Sequence, residues 1–130
     1  MTTGFADRRF VQPPNLKGLR ILIAEDEFLV ADEMALDFKF FGAEVVGPVP
    51  SLSEAFELLG DDKPLDGAVL DINLRGEMVF PLAEALRTRG VPFVFSTGYE
   101  RWSIPTTYQS VPLCEKPVDS AKLAKALVRP

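Results

Sequence analysis

The residues able to do chemistry in this chain sit where apolar runs end. "LRILIA" (Leu19–Ala24) runs into Glu25, Asp26 and Glu27, "VLDINL" carries Asp71, "FSTGYE" carries Ser96, Thr97 and Gly98, and "LCEKP" carries Glu115, Lys116 and Pro117. If those run ends lie side by side, the carboxylates of Glu25, Asp26 and Asp71 meet in one crevice. They repel one another there, and such a cluster persists when a divalent cation neutralises it. Carboxylate and carbonyl oxygens, with no sulfur or imidazole, suit a hard ion: Mg2+, with water and phosphate completing its octahedron. Lys116 and the Thr97 hydroxyl add donors for an anion. Metal, ammonium and hydroxyl around one carboxylate form a phosphoryl-transfer arrangement, in which positioning and charge stabilisation do most of the catalysis. Asp71 is then the nucleophile, because carboxylates form aspartyl phosphates. Each residue also has a plainer reading. Acids beside a helix N-terminus are favoured by its dipole, and for Glu27 a helix-start role is the whole expectation. Cys114 is expected to be a small buried apolar residue.

The elements must bring those ends to one edge. Residues 1–18 read as an N-terminal tail or linker: there is no sustained period, and Pro13-Pro14 precludes helix, although Phe5, Phe10 and Val11 remain able to dock. From residue 19 to 128 strands and helices alternate. "LRILIA" is a buried strand. "EFLVADEMALDFKFFG" is a helix ending at Gly42. "AEVVGPV" is a second strand, followed by a helix from Ser51, its cap, to Gly60, with Glu54 completing a capping box. "DGAVLDI" is a third strand, then Glu77 to Arg89 a helix. "VPFVFS" and "VPLCE" are the fourth and fifth strands, and "DSAKLAKALV" the last helix. Such alternation gives an α/β fold, a flavodoxin-like doubly wound five-stranded parallel sheet, (βα)5, with helices on both faces. Its function gathers at the carboxyl ends of the strands. The fourth helix is expected to be short or irregular, since Pro105 and β-branched neighbours interrupt "TGYERWSIPTTYQS".

Composition excludes several classes. The 130 residues carry 14 Lys and Arg against 19 Asp and Glu, a net charge of −5. That balance argues against nucleic-acid binding, which needs a basic footprint. With no histidine, Ser-His and Cys-His catalysis and His-based metal sites are out. One cysteine permits no internal disulfide and fits a reducing cytoplasm. No secretory leader is recognisable, and no apolar run approaches the ~20 residues of a membrane span.

"AEDE", "LDINL", "STGYE" and "EKP", in this order and each at a strand end, resemble the receiver domain of two-component response regulators, over about residues 19–128. The resemblance implies that Asp71 accepts a phosphoryl group from a phosphohistidine on a histidine kinase or a histidine phosphotransfer protein, in a phosphorelay. It implies that Asp26 and Asp71 ligate Mg2+ directly, Glu25 through water, and Asn73 through its backbone carbonyl. Thr97 would hydrogen-bond the new phosphoryl oxygen, Gly98 leave access, and Lys116 pair with the phosphoryl group beside a cis Lys116–Pro117 bond. Such a domain is a phosphoacceptor with autocatalytic phosphorylation and dephosphorylation, not a multiple-turnover enzyme.

The chain departs from most receivers at Leu113, where an aromatic usually couples to the threonine. "FSTGY" is similar to the receiver subgroup with the Phe-Ala-Thr-Gly-Tyr signature, called FAT GUY, with Ser96 in place of alanine. That subgroup is often paired with HWE kinases, and Tyr99 becomes the expected reporter of the site's state, with Trp102 as its probe. On the first helix, Val30, Met34, Phe38 and Phe41 form a core stripe, while Leu29, Glu33, Leu36 and Phe40 lie about a third of a turn away. In receivers that second side docks the kinase; burial of it by the N-terminal tail is the competing reading. A homodimer through the fourth-helix and fifth-strand region is a further expectation. No output domain is recognised, so output is expected through protein contact or as a phosphate sink. The alternatives are a receiver from a hybrid histidine kinase, a haloacid-dehalogenase-type phosphatase, which wants an Asp where Asn73 stands, and an FMN-binding flavodoxin-like protein, whose phosphate the acids after the first strand would repel.

Overall fold

The computed structural model describes residues 13–98 and 103–128. In chain order these form β1 (Arg20–Ala24), α1 (Phe28–Phe40), β2 (Glu44–Val49), α2 (Leu52–Leu59), β3 (Gly67–Asp71), the short strands β4 (Asn73–Leu74) and β5 (Glu77–Met78), α3 (Phe80–Thr88), β6 (Phe93–Thr97), a 3-10 turn (Thr106–Tyr108), β7 (Leu113–Glu115) and α4 (Ser120–Leu127). The main sheet has five strands in the order β2-β1-β3-β6-β7, all parallel. It is the doubly wound sheet expected from the alternation of strands and helices.

Successive side chains along a strand point to opposite faces, and the sheet uses this to build two cores. Ile21, Ile23, Val69 and Val94 pack with Met34 and Phe38 of α1 and Leu123 of α4. Leu22, Ala24, Leu70 and Phe95 pack on the other face with Ala55 of α2 and Leu82 and Leu86 of α3. Every residue of β3 and β6 is buried, as expected for central strands covered on both sides. Helix α1 ends in a Schellman motif: the Ala43 N–H bonds the Phe38 carbonyl and the Gly42 N–H that of Lys39, with Gly42 at φ +102°. The Ser51 hydroxyl caps α2, accepting from the Glu54 N–H at 3.3 Å. The Glu54 carboxylate in turn accepts from that hydroxyl at 2.9 Å.

Four local expectations need correction or refinement. The helix expected from Glu77 begins only at Phe80, because residues 73–78 form an antiparallel hairpin. Its turn places Arg75 at φ 53° and Gly76 at φ 87°, and the Asn73 side-chain oxygen accepts from the Gly76 N–H at 2.7 Å. Pro81 lies in the first turn of α3, where its missing N–H costs nothing. Cys114 is half-buried, not buried, since β7 is a sheet edge. In the core stripe of α1, Met34 and Phe38 are buried while Val30 and Phe41 are half-buried. Within the segment read as a tail, Leu16 is fully buried and its N–H bonds the Phe41 carbonyl at 2.8 Å.

Between β6 and β7 the described residues contain no α-helix, and the 3-10 turn at Thr106–Tyr108 lies in this stretch. Tyr108 from that turn stacks on Phe80 at 5.3 Å and meets Phe95 edge-on at 6.0 Å, so an aromatic cluster covers this side of β6. Phe5, Phe10, Val11, Tyr99 and Trp102 lie outside the described residues.

Candidate functional site

The strand order decides which side chains meet. β3 lies between β1 and β6, and β7 follows β6, so the ends of four neighbouring strands open on one cleft. The Glu25 N–H bonds the Val49 carbonyl at 3.0 Å, and the Lys116 N–H bonds the Thr97 carbonyl at 3.0 Å. Asp71 stands opposite Ser96 in the β3–β6 register. The cleft is lined by Asp26, Glu27, Asp71, Asn73, Thr97, Gly98 and Lys116. Glu25 and Asp71 are almost wholly buried, at 2% and 5% exposure. The Lys116 ammonium is the hub: Nζ lies 2.9 Å from Asp71 Oδ2 and 3.2 Å from Glu25 Oε1, and it is hydrogen-bonded to Glu27 Oε1. The Lys116–Pro117 bond is cis. A methyl group at Gly98 would meet no atom of the described residues beyond its chain neighbours within 4 Å.

Backbone groups hold the acids in place. The Asn73 N–H donates to Asp71 Oδ1 at 3.2 Å, the Arg75 N–H to Asp26 Oδ2 at 2.9 Å, and the Glu27 N–H to Glu25 Oε2 at 2.9 Å. Burial is the main force on the charges. It pushes the Glu25 carboxyl up to about 7, against the pull of the Glu27 N–H and with the help of Asp71. It also raises Asp71, against the hydrogen bonds from Lys116 and Glu25. Burial alone would lower Lys116, but its bonds to Glu27 and Asp71 and the charges of Asp71 and Glu25 hold the ammonium above its ordinary range.

The residues present fit a hard divalent cation. One oxygen from each of Glu25, Asp26 and Asp71 lies within 4.8 Å of the others, and the donors are all oxygen. Glu25 Oε1 is buried with no hydrogen-bond partner among the described residues. Its 3.2 Å approach to Lys116 is an ion-pair contact outside hydrogen-bond alignment. A buried oxygen left so is costly, and a cation or its water would satisfy it.

Of the residues singled out in the sequence, Glu25, Asp26, Asp71, Asn73, Thr97, Gly98 and Lys116 share this site. Leu113 stands beside Phe95 in the β6–β7 register, half-buried. Leu29, Leu36 and Phe40 are exposed, at 78%, 60% and 79%, as is Glu33. Tyr99 is outside the described residues. Two participants were missed. Glu27, read only as a helix-start acid, makes no capping hydrogen bond and binds Lys116 instead. Arg75 holds Asp26 through a main-chain N–H that no side-chain pattern announces; the Arg75-Gly76 turn was the only signal.

A doubly wound parallel sheet with an acid trio and a lysine at its carboxyl edge is the architecture of a receiver. No protein-family model matches the chain. Over 113 residues the chain is 31% identical to the sensory transduction protein LytT of Bacillus subtilis (strain 168), covering 84% of the chain and 46% of LytT. It is 39% identical to SdrG of Sphingomonas melonis Fr1, whose solution structure superposes with a TM-score of 0.71 over 85% of this chain and 96% of that one. The BeF3-activated conformation of SdrG, from Pseudomonas melonis Fr1, gives 36% identity and a TM-score of 0.68 over 83% and 92%. A response regulator receiver protein from Sinorhizobium medicae WSM419 gives 26% and 0.73 over 87% and 94%. The chain belongs to the receiver domains of two-component response regulators. It spans less than half the length of LytT. These relatives do not favour the alternatives weighed above. No helix among the described residues is long and apolar enough to cross a membrane.

The raised Glu25 carboxyl sets a pH dependence. A carboxyl whose folded value lies above its ordinary 4.5 stabilises the fold below that value, and the contribution is lost as pH rises towards about 7. The metal-free protein is therefore expected to lose thermal stability across that window, and Mg2+ to restore more of it at about pH 8 than at about pH 5. Melting curves with and without Mg2+ at both pH values check this; an Mg2+ increment equal at both would contradict it.

Proposed function

We propose that Asp71 is the phosphoacceptor of this receiver. The observation that carries the reading is the Lys116 ammonium 2.9 Å from Asp71 Oδ2, in a cleft that also holds Thr97 and the acid trio. An Asp71 oxygen attacks the phosphorus of a phosphohistidine on a histidine kinase or histidine phosphotransfer protein. The O–P bond forms, the N–P bond breaks, and its electron pair stays on the donor's imidazole. Mg2+ would be held by Asp26 and Asp71, by Glu25 through water, and by the Asn73 backbone carbonyl. Once bound it offsets charge on the phosphoryl oxygens. Lys116 turns from the carboxylate to a phosphoryl oxygen, and the Thr97 hydroxyl donates to another. Attack by water later releases phosphate, so the domain is a phosphoacceptor that resets itself and not a multiple-turnover enzyme.

The receiver domain in this reading spans 19–128, with 1–18 as a tail anchored through Leu16. The docking side for the phosphodonor is the exposed face of α1 carrying Leu29, Glu33, Leu36 and Phe40, whose N-terminus opens at the cleft. Solvent-exposed apolar side chains grouped on one face serve partner binding. In this reading the chain falls in the FAT GUY subgroup, with an HWE-type kinase as donor, and Ser96, which departs from that signature's alanine, is compatible with it. Its side chain is buried and its hydroxyl has no hydrogen-bond partner among the described residues, so it fills an alanine's place. With aliphatic Leu113 beside Phe95, the reporter of the site's state in this reading is Tyr99.

Mg2+ with acetyl phosphate is expected to add one phosphoryl group by intact-protein mass spectrometry, and Asp71→Asn to abolish it; no modification by any donor would sink the reading. Leu36→Asp is expected to slow transfer from a phosphohistidine protein about tenfold or more while sparing acetyl phosphate, because loss of a central interface contact of hot-spot strength costs ~2 kcal/mol or more. Equal loss with both donors would point to misfolding. Mg2+ plus beryllofluoride should change Trp102 fluorescence, and much less so in Tyr99→Ala; an unaltered response there would remove Tyr99 as the reporter.

A further inference from the structure

We propose that Glu27 is a specificity-determining residue of this site: it tethers Lys116 at the mouth of the cleft and keeps a negative charge there that discriminates against small dianionic phosphodonors. The inference rests on the phosphoacceptor reading of Asp71. Glu27 occupies the N-cap position of α1 with extended backbone, φ −82° and ψ 109°, yet its side chain makes no capping hydrogen bond. Its N–H is committed to Glu25 Oε2 at 2.9 Å, which fixes the residue against the site, and its Oε1 takes the Lys116 ammonium. A carboxylate at a helix start normally serves the orphan N–H groups of the first turn. This one is turned the other way, towards the cleft.

Glu27 differs from the other acids in two respects. Its oxygens are not in the cluster formed by Glu25, Asp26 and Asp71, so a cation in that cluster does not ligate it. Its side chain is 57% exposed, against 7% for Asp71 and 1% for Glu25. Of the three acids paired with Lys116 it is the most exposed, lining both the cleft and the adjoining groove, which Glu33 of α1 also lines. An anionic donor reaching Asp71 from solvent passes this carboxylate, and Lys116 must leave it to meet the phosphoryl group. Both effects slow the same step. With acetyl phosphate, an Asp71 oxygen bonds to phosphorus, the bond from phosphorus to the acetyl oxygen breaks, and acetate departs with the electron pair.

Because Glu27 is exposed, water and salt screen its charge, and the effect is moderate and salt-dependent. Glu27→Gln is expected to raise the second-order rate of Asp71 phosphorylation by acetyl phosphate, a dianion, about threefold to tenfold at low salt. The gain with phosphoramidate, a monoanion near neutral pH, should be clearly smaller, and both should shrink towards unity at about 1 M salt. Glu27→Asp, which keeps the charge, should retain the wild-type preference between donors. Glu57→Gln, which removes an exposed charge on α2, should alter neither rate. Equal acceleration of both donors, a salt-independent change, or no acceleration with acetyl phosphate would overturn the proposal while leaving Asp71 as acceptor. If neither donor modifies the wild-type protein, the Asp71 reading falls and this one with it.

Discussion

Three carboxylates within 4.8 Å of one another, two of them nearly devoid of solvent, are an arrangement that folding by itself would avoid. Burial of such charges is tolerated only with partners, and here the resident partner is Lys116. Its side chain is 20% exposed and touches Glu25, Glu27 and Asp71. Much of the fold can be understood as what brings this ammonium to those acids. β1 and β3 must be neighbours to unite Glu25 and Asp26 with Asp71, and β6 must separate β3 from β7 so that Lys116 reaches across from the next strand but one. The Lys116 N–H bond to the Thr97 carbonyl links the lysine's backbone to the threonine's, so the two groups expected to bind the phosphoryl group in the proposed reaction are held side by side.

The balance is incomplete by design of the chemistry. One ammonium cannot neutralise four carboxylates, and burial raises the Glu25 and Asp71 carboxyls and leaves a Glu25 oxygen without a hydrogen-bond partner among the described residues. In the proposed reaction a divalent cation would supply what is missing, and a phosphoryl group would bring negative charge back beside it. Glu27, outside the trio and open to solvent, adds the one charge that no cation in the trio would ligate.

Most of this was legible in the chain itself, for physical reasons. The strands are short apolar runs bounded by turn residues, and a parallel sheet places their carboxyl ends together, so the sequence pattern alone groups Asp71, Thr97 and Lys116. The two apolar stripes of α1 follow from helical periodicity, and Met34 and Phe38 do face the core. What was missed depends on distant or main-chain contacts. Glu27 lies 89 residues before Lys116, and nothing local distinguishes it from an ordinary helix-start acid. The delayed start of α3 comes from the Asn73–Gly76 side-chain bond and the positive φ of Arg75, against a stretch whose propensities permit helix. Leu16 is a single anchoring residue after two prolines, with no periodic neighbours to mark it as core.

The central claim is that, among these converging acids, Asp71 alone accepts the phosphoryl group. Borohydride trapping tests it most directly: the protein is phosphorylated with Mg2+ and a phosphodonor, the acyl phosphate is reduced, and the resulting homoserine is located by peptide sequencing. Homoserine is expected at position 71, dependent on both donor and Mg2+. Homoserine at position 26 instead, or none at any position after phosphorylation, would contradict it.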